Sequence, residues 1–259
     1  MATKELLVGR GSGMAAKLTN GVPGAFLQFG NLKSYAFALQ IEKGEHYETE
    51  TTQSLLIASW QNKKGGSVEA EFEELNSNNA KLLFSARVND VAASTATAEV
   101  IATAVPSVGD VLVLKRGLVS SVVIKDSTSG TPKTLVAGTN YRLRDSGMFG
   151  SIDVLDVSSG GTFTPPLKAD YSYGAQTRAT LLTADDDEYA LRFEGISKAT
   201  NRRFLLEFWR AKFSPADKAD FIGNEVTAMK STISLLADTS KSATDEFGQF
   251  GRLTWLGAA

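Results

Sequence analysis

The chain has 259 residues, 42% of them apolar and 22% charged, which is the balance of a globular protein and not of a disordered one. Its 27 Lys and Arg against 29 Asp and Glu leave a formal charge of −2. No basic block stands out, which excludes a surface built to grip nucleic acid by displacing counterions. The absence of cysteine excludes a disulfide framework, a thiolate metal site and a cysteine nucleophile.

The length allows one large domain, or one domain with a second inserted. Residues 1–8 lack the apolar run of a signal peptide, and no stretch approaches the roughly 20 apolar residues of a membrane span. The expectation is a protein made in the cytoplasm and soluble there. Residues 6–10 and 14–18 read as short strands separated by Gly11-Ser12-Gly13, and the Asn20-Gly21 and Pro23-Gly24 pairs are strong turn signals. Residues 26–29 and 34–41 follow as strands; in the second, Tyr35, Phe37, Leu39 and Ile41 alternate with small or polar residues.

From residue 42 to 66 the pattern breaks. The segment is rich in Glu and Thr, yet it holds the apolar island Leu55-Leu56-Ile57 and Trp60. An irregular connection of that length is uncommon and usually functional; this one reads as a loop that orders against a partner. Residues 67–75 form another strand, with Val68, Ala70 and Phe72 on one face. A short helix then begins at a cap on Asn76 or Ser77, burying Ala80, Leu82, Leu83 and Ala86.

Residues 91–184 differ in texture. Turn residues recur every eight to twelve positions or so, with strand-like pieces between them, the spacing of a small sandwich or an elaborated sheet. The organisation expected is a core domain from residues 1–90 and 185–259, with an inserted β-rich region at 91–184. Residues 188–213 then read as a β-hairpin. Phe204, Leu206 and Phe208 line one face of its second strand; Leu205, Glu207, Trp209 and Ala211 line the other. That strand is too apolar on both faces for an exposed sheet. Either it is covered twice within its own domain, or a second copy covers one face. Ser214-Pro215-Ala216-Asp217 reads as the start of a second short helix that Gly223-Asn224 stops. A strand over 226–237, a polar linker and an apolar terminal segment with Phe247, Phe250, Leu253 and Trp255 complete the chain. The fold class is mostly β with short flanking helices.

No constellation for catalysis emerges. The single histidine, His46, lies among Glu45, Tyr47 and Glu48 without spaced metal-ligand partners. Residues 9–13 are glycine-rich but lack the Lys and Ser/Thr of a phosphate-binding loop. Residues 185–188 are acidic but lack the alternation of a calcium loop. No catalytic, cofactor-binding or metal-binding residue is assigned, no cofactor is expected, and the protein is not expected to be an enzyme. Trp60, in a polar segment, is a candidate for contact with a partner.

Several stretches together resemble the major tail tube proteins of long-tailed bacteriophages. In the N-terminal part these are Gly21-Val22-Pro23-Gly24, Phe29-Gly30-Asn31, the strand 36–41, the charged segment, and the strand 68–75 running into 76–84. In the C-terminal part they are Leu191 to Gly195, the polar turn, residues 204–210, Phe213-Ser214-Pro215-Ala216, and Phe221-Ile222-Gly223-Asn224-Glu225. Val136-Ala137-Gly138-Thr139-Asn140-Tyr141 and its sequel to Tyr173 resemble the additional β segment of some members.

The resemblance implies a tail-tube-type β-sandwich in hexameric rings, stacked into a hollow tube of the virion tail that conducts DNA during ejection without binding it specifically. The implied partners are further copies of the chain and other tail proteins (tape measure, tail terminator, distal tail), and no membrane. The segment after residue 41 would stack the rings, with Tyr47, Leu55, Leu56, Ile57 and Trp60 as candidate contacts. Leu205, Glu207 and Trp209 are candidates for an inter-subunit sheet. Alternative readings are another ring-forming tail component (a distal tail or terminator protein), the related tube of a contractile secretion system, or a carbohydrate-binding β-sandwich module.

Overall fold

The computed structural model describes residues 9–50, 54–224, 226, 228–244 and 246–258; the first part of the predicted 6–10 strand lies outside the described residues. The fold is mostly β, 53% strand and 5% helix, in several antiparallel sheets. The chain runs through β1 (Gly9–Thr19), β2 (Val22–Pro23), β3 (Leu27–Gln28), β4 (Leu32–Tyr47), β5 (Leu56–Phe72), α1 (Ser77–Leu83) and β6 (Arg87–Val91). Then come β7 (Ser94–Ala102), β8 (Val111–Val113), β9 (Val119–Lys125), β10 (Thr134–Leu135), β11 (Tyr141–Leu143), β12 (Ser151–Val154), β13 (Leu167–Tyr173) and β14 (Gln176–Thr180). It closes with β15 (Tyr189–Ser197), β16 (Arg202–Phe213), β17 (Met229–Leu236) and β18 (Gly251–Ala258). Two compact units result: one from the chain before Asn89 and after Arg178, the other from Asn89–Arg178.

The first unit is built on one sheet in the order β2-β1-β15-β16-β17-β5-β4, with β3 added on β1 and β18 on β16. The sheet folds back so that its two halves face each other. Tyr35 of β4 stacks on Phe193 of β15 at 4.8 Å, and Phe37 meets Phe208 of β16 edge-on at 6.0 Å. Between the halves Val68, Phe72, Leu191 and Ile233 are buried completely or nearly so, with Phe29 and Leu83 closing one end. Each such side chain contributes on the order of 2 kcal/mol.

α1 forms where its cap and stripe predict. The Asn76 side chain accepts from the Asn78 and Asn79 amides at 3.0 and 2.9 Å, and Ala80, Leu82, Leu83 and Ala86 are buried. The second predicted helix does not form. The Ser214 amide donates to Thr232 O at 2.9 Å and the Ala216 amide to Leu83 O at 2.6 Å. Those distant carbonyls replace a first turn that two turns of helix would not have repaid.

Two further expectations change. β1 runs straight through Gly11-Ser12-Gly13 as one strand, because the glycines admit neighbours that a side chain would exclude. A Cβ at Gly13 would stand 2.7 Å from the Phe29 ring. In its described residues, 42–50 and 54–66, the segment 42–66 is also no irregular loop, while 51–53 lie outside the described residues. β4 and β5 pair continuously from Leu32↔Phe72 out to Tyr47↔Leu56, with irregularities in register after Glu42 and His46. The apolar island and Trp60 therefore sit at the end of a regular hairpin.

The second unit has its own core. Sheets β10-β9-β13-β7 and β11-β12-β8 enclose Ile124, Ile152, Leu167 and Tyr171. Buried polar groups tie its loops. Asn140 accepts the Val136 amide at 2.7 Å and donates to Asp156 O and Ser159 O at 2.9 Å.

Candidate interaction surface

The period-2 pattern of β4 puts Tyr35, Phe37, Leu39 and Ile41 in one row on one face. The row starts inside the core and leaves it. Tyr35 is covered by Phe193, and its hydroxyl, without a hydrogen-bond partner among the described residues, is pushed well above the ordinary tyrosine pKa by burial. Phe37 is partly covered by Phe208, whereas Leu39 is 69% exposed and Ile41 half exposed. Past the Leu39↔Gly66 pair the hairpin continues for eight more residues of β4, an arm of about 27 Å at strand rise.

Tyr47, Leu55, Leu56, Ile57 and Trp60 all lie on this arm, and all are exposed. Tyr47 and Leu56 are cross-strand partners at its tip. The Tyr47 hydroxyl donates to Glu45 at 2.6 Å, and that bond to a carboxylate raises its pKa. Trp60 pairs with Gly44, its indole lying over the glycine. The polar residues between them, such as the exposed Lys63–Glu42 pair at 2.9 Å, contribute under about 1 kcal/mol each. They keep the arm soluble more than they stiffen it. Sequence alone misses Phe37, Leu39 and Ile41 as surface residues. The alternation that marks them as sheet is the same whether the core covers the strand to its end or stops halfway.

Among the described residues β4 pairs only with β5, and its other edge is there an unpaired row of backbone groups. β16 is the opposite case. It pairs with β15 along one side, and with β17 and β18 end to end along the other. Leu205, Glu207 and Trp209 consequently present a face and not an edge. Glu207 accepts from Arg192 Nη1 at 3.1 Å and Arg252 Nε at 2.7 Å, a row across three strands. The Trp209 indole donates to Phe247 O and Gly248 O at 3.2 and 3.0 Å and lies under Lys241 and Arg252. Its cover comes from the chain's own last segment, while Leu205 stays half-buried.

The other sequence features take structural roles. Residues 9–13 are strand. The acidic run at 185–188 is a set of ion pairs that clamps neighbouring elements. Asp185 takes a two-pronged bond from Arg87 at 2.8 and 2.9 Å, Asp186 pairs with Lys212, and Asp187 pairs with Lys17 at 2.7 Å. Glu188 is held by Arg210 at 2.8 and 2.9 Å, and those bonds lower its pKa. His46 faces Ala58 across the arm, and no metal-holding group of His, Asp and Glu occurs among the described residues. Among the described residues no helix is long and apolar enough to cross a membrane.

A family model described as a protein of unknown function, UCP028589, matches residues 6–254, almost the whole chain. No curated protein matches it.

Proposed function

The chain belongs to that family of unknown function, and we propose that it is a structural subunit that closes into hexameric rings and stacks them into the hollow tail tube of a long-tailed phage. The observation that carries this reading is the β4–β5 arm. It extends the core sheet by about 27 Å and sets Leu39, Ile41, Tyr47, Leu55, Leu56, Ile57 and Trp60 in solvent. Large apolar side chains exposed in that number are stable when something covers them. Repeated copies stacked one on another supply the cover without any further partner.

Two features support the same reading. The free edge of β4 is a place where a neighbouring strand can add, which in a ring removes the edge altogether. A formal charge of −2 suits a conduit for DNA, because a wall that bound phosphates would retard the strand. Tape measure, terminator and distal tail proteins are then the partners at the ends of the tube.

The test is the variant Leu56→Ser/Trp60→Ser. Both side chains are exposed, so the subunit should fold with an unchanged melting temperature and fail to form tubes under negative-stain microscopy across concentration and salt. Normal tubes from the variant, or no self-association of the unaltered chain, would overturn the reading.

A further inference from the structure

Two features of the first unit are open to solvent, and they lie at opposite ends of β16. At one end Arg10 of β1 and Arg203 of β16 flank Ile196 of β15, one residue per strand in a single row. They line a cleft of about 470 Å³ whose apolar lining includes Phe204, Leu205 and Leu256. Arg192, also in the cleft, is held by Glu194 and Glu207 at 2.8 and 3.1 Å. Arg10 and Arg203 make no ion pair among the described residues. The cleft thus offers two uncommitted guanidinium groups beside an apolar lining, a combination that suits an acidic peptide with bulky apolar side chains.

At the other end, beyond Phe213, the chain presents such a peptide. Phe221 is 77% and Ile222 96% exposed. Next to them, among the described residues, Asp220 pairs with the more exposed Lys218, at 2.8 Å, and Asp217 makes no ion pair. An exposed aromatic–aliphatic pair preceded by carboxylates matches the cleft in both charge and polarity.

This segment cannot fill its own cleft. Ten residues of strand separate Arg203 from Phe213, about 33 Å. Nine residues from Phe213 to Ile222 reach at most about 32 Å even when pulled straight back along the strand. The Ser214 and Ala216 amides, moreover, are tied to Thr232 and Leu83. This segment therefore reaches such a cleft only on another molecule.

We propose that the Asp220-Phe221-Ile222 segment of one subunit docks into the Arg10–Arg203 cleft of the next. Phe221 and Ile222 cover the apolar lining, and the carboxylates meet the two guanidinium groups. Glu194 at the cleft is the one like charge the segment meets, and Arg192 already neutralises it. The contact joins two different patches, so it is heterologous and leaves a free segment at one end and a free cleft at the other. It rests on the ring-and-tube reading, and adds to it a head-to-tail contact distinct from the arm.

The experiment uses the full chain carrying Leu56→Ser/Trp60→Ser, which silences the arm. One variant adds Arg10→Glu/Arg203→Glu; the other adds Asp220→Lys/Phe221→Ser/Ile222→Ser. All five side chains are exposed, so both variants should keep the melting temperature of their parent. Each alone should sediment as a monomer, with self-association weakened at least tenfold. An equimolar mixture should give a heterodimer and nothing larger, because only one intact segment and one intact cleft remain. A mixture that stays monomeric, or a variant that associates as strongly as its parent, would overturn the docking. If the unaltered chain gives head-to-tail oligomers but no tubes, the docking stands and the tube reading falls. If both substitution sets placed in the unaltered arm still yield tubes, the tube reading stands and the docking falls.

Discussion

The Trp60 indole lies directly over the backbone of Gly44 on the partner strand, where a Cβ would stand 2.6 Å from the ring. The glycine gives the ring a seat, and the ring restores the contacts that a strand glycine lacks. Gly44→Val removes the seat. The expected result is a red shift of Trp60 emission, isolated by difference against Trp60→Phe, together with faster proteolysis of the arm. The melting temperature should hardly move, because the arm lies outside the core. An unchanged Trp60 spectrum would show that the pairing does not orient the ring.

Asn79, completely buried, ties α1 to the strands around it. Its Nδ2 donates to Phe29 O at 2.7 Å and to Glu74 O at 2.8 Å. Asn79→Ala leaves those carbonyls without a donor, at a cost of about 1–3 kcal/mol. For a unit of this size that lowers the melting temperature by roughly 2–12 °C. Asn79→Asp should cost more, because an ionised carboxylate would face two carbonyls. Calorimetry of the three proteins checks the order, and an Ala variant as stable as the parent contradicts it.

The second unit should lose stability in acid through Asp126. Burial works against its charge, but bonds from the Thr128 hydroxyl and from the Thr164, Lys133 and Thr128 amides outweigh it and bring the pKa down to about 2. A carboxylate whose pKa is lowered on folding adds stability that is complete above its unfolded pKa, near 3.9, and is lost as pH falls through the folded value. The window is therefore about pH 4 to 2. Asp126→Asn should flatten that dependence and destabilise the unit at neutral pH, since the amide nitrogen would oppose backbone donors. Thermal melts of parent and variant from pH 7 to 2 measure both effects.

Local signals carry α1 and the β15–β16 hairpin from sequence to structure, since the Asn76 cap and the alternation from Tyr189 to Phe213 act within a few residues. The arm escapes because both its faces are wet. Lys43 and Glu45 interrupt the apolar row of β4, and the register shifts beside Asn62 and Ile57 break the period of β5. A hairpin with no buried face leaves no alternation to read. The missing helix at Ser214 has another cause, since Leu83 and Thr232 are remote in sequence and no local pattern announces them. The apolar second face of β16 leaves its cover open between its own chain and a copy; for Trp209 the cover is Phe247, 38 residues away.

The Asn89–Arg178 unit should be dispensable for folding of the rest. The cores of the two units are separate clusters, and the chain ends left by excision are neighbours. The Thr180 hydroxyl donates to Arg87 O at 3.1 Å, and the amides of Thr183 and Ala184 bond to Ser85 O at 2.9 and 2.8 Å. A short Gly-Ser linker from Val88 to Ala179 therefore closes the gap at little entropic cost. The excised protein is expected to remain soluble, to melt in one transition within a few degrees of the parent's first unit, and to form the same assemblies under the microscope. Insolubility, or a melt without cooperativity, would mean that the first core depends on the second. Folding with loss of assembly would instead assign the excised unit to the contacts between subunits.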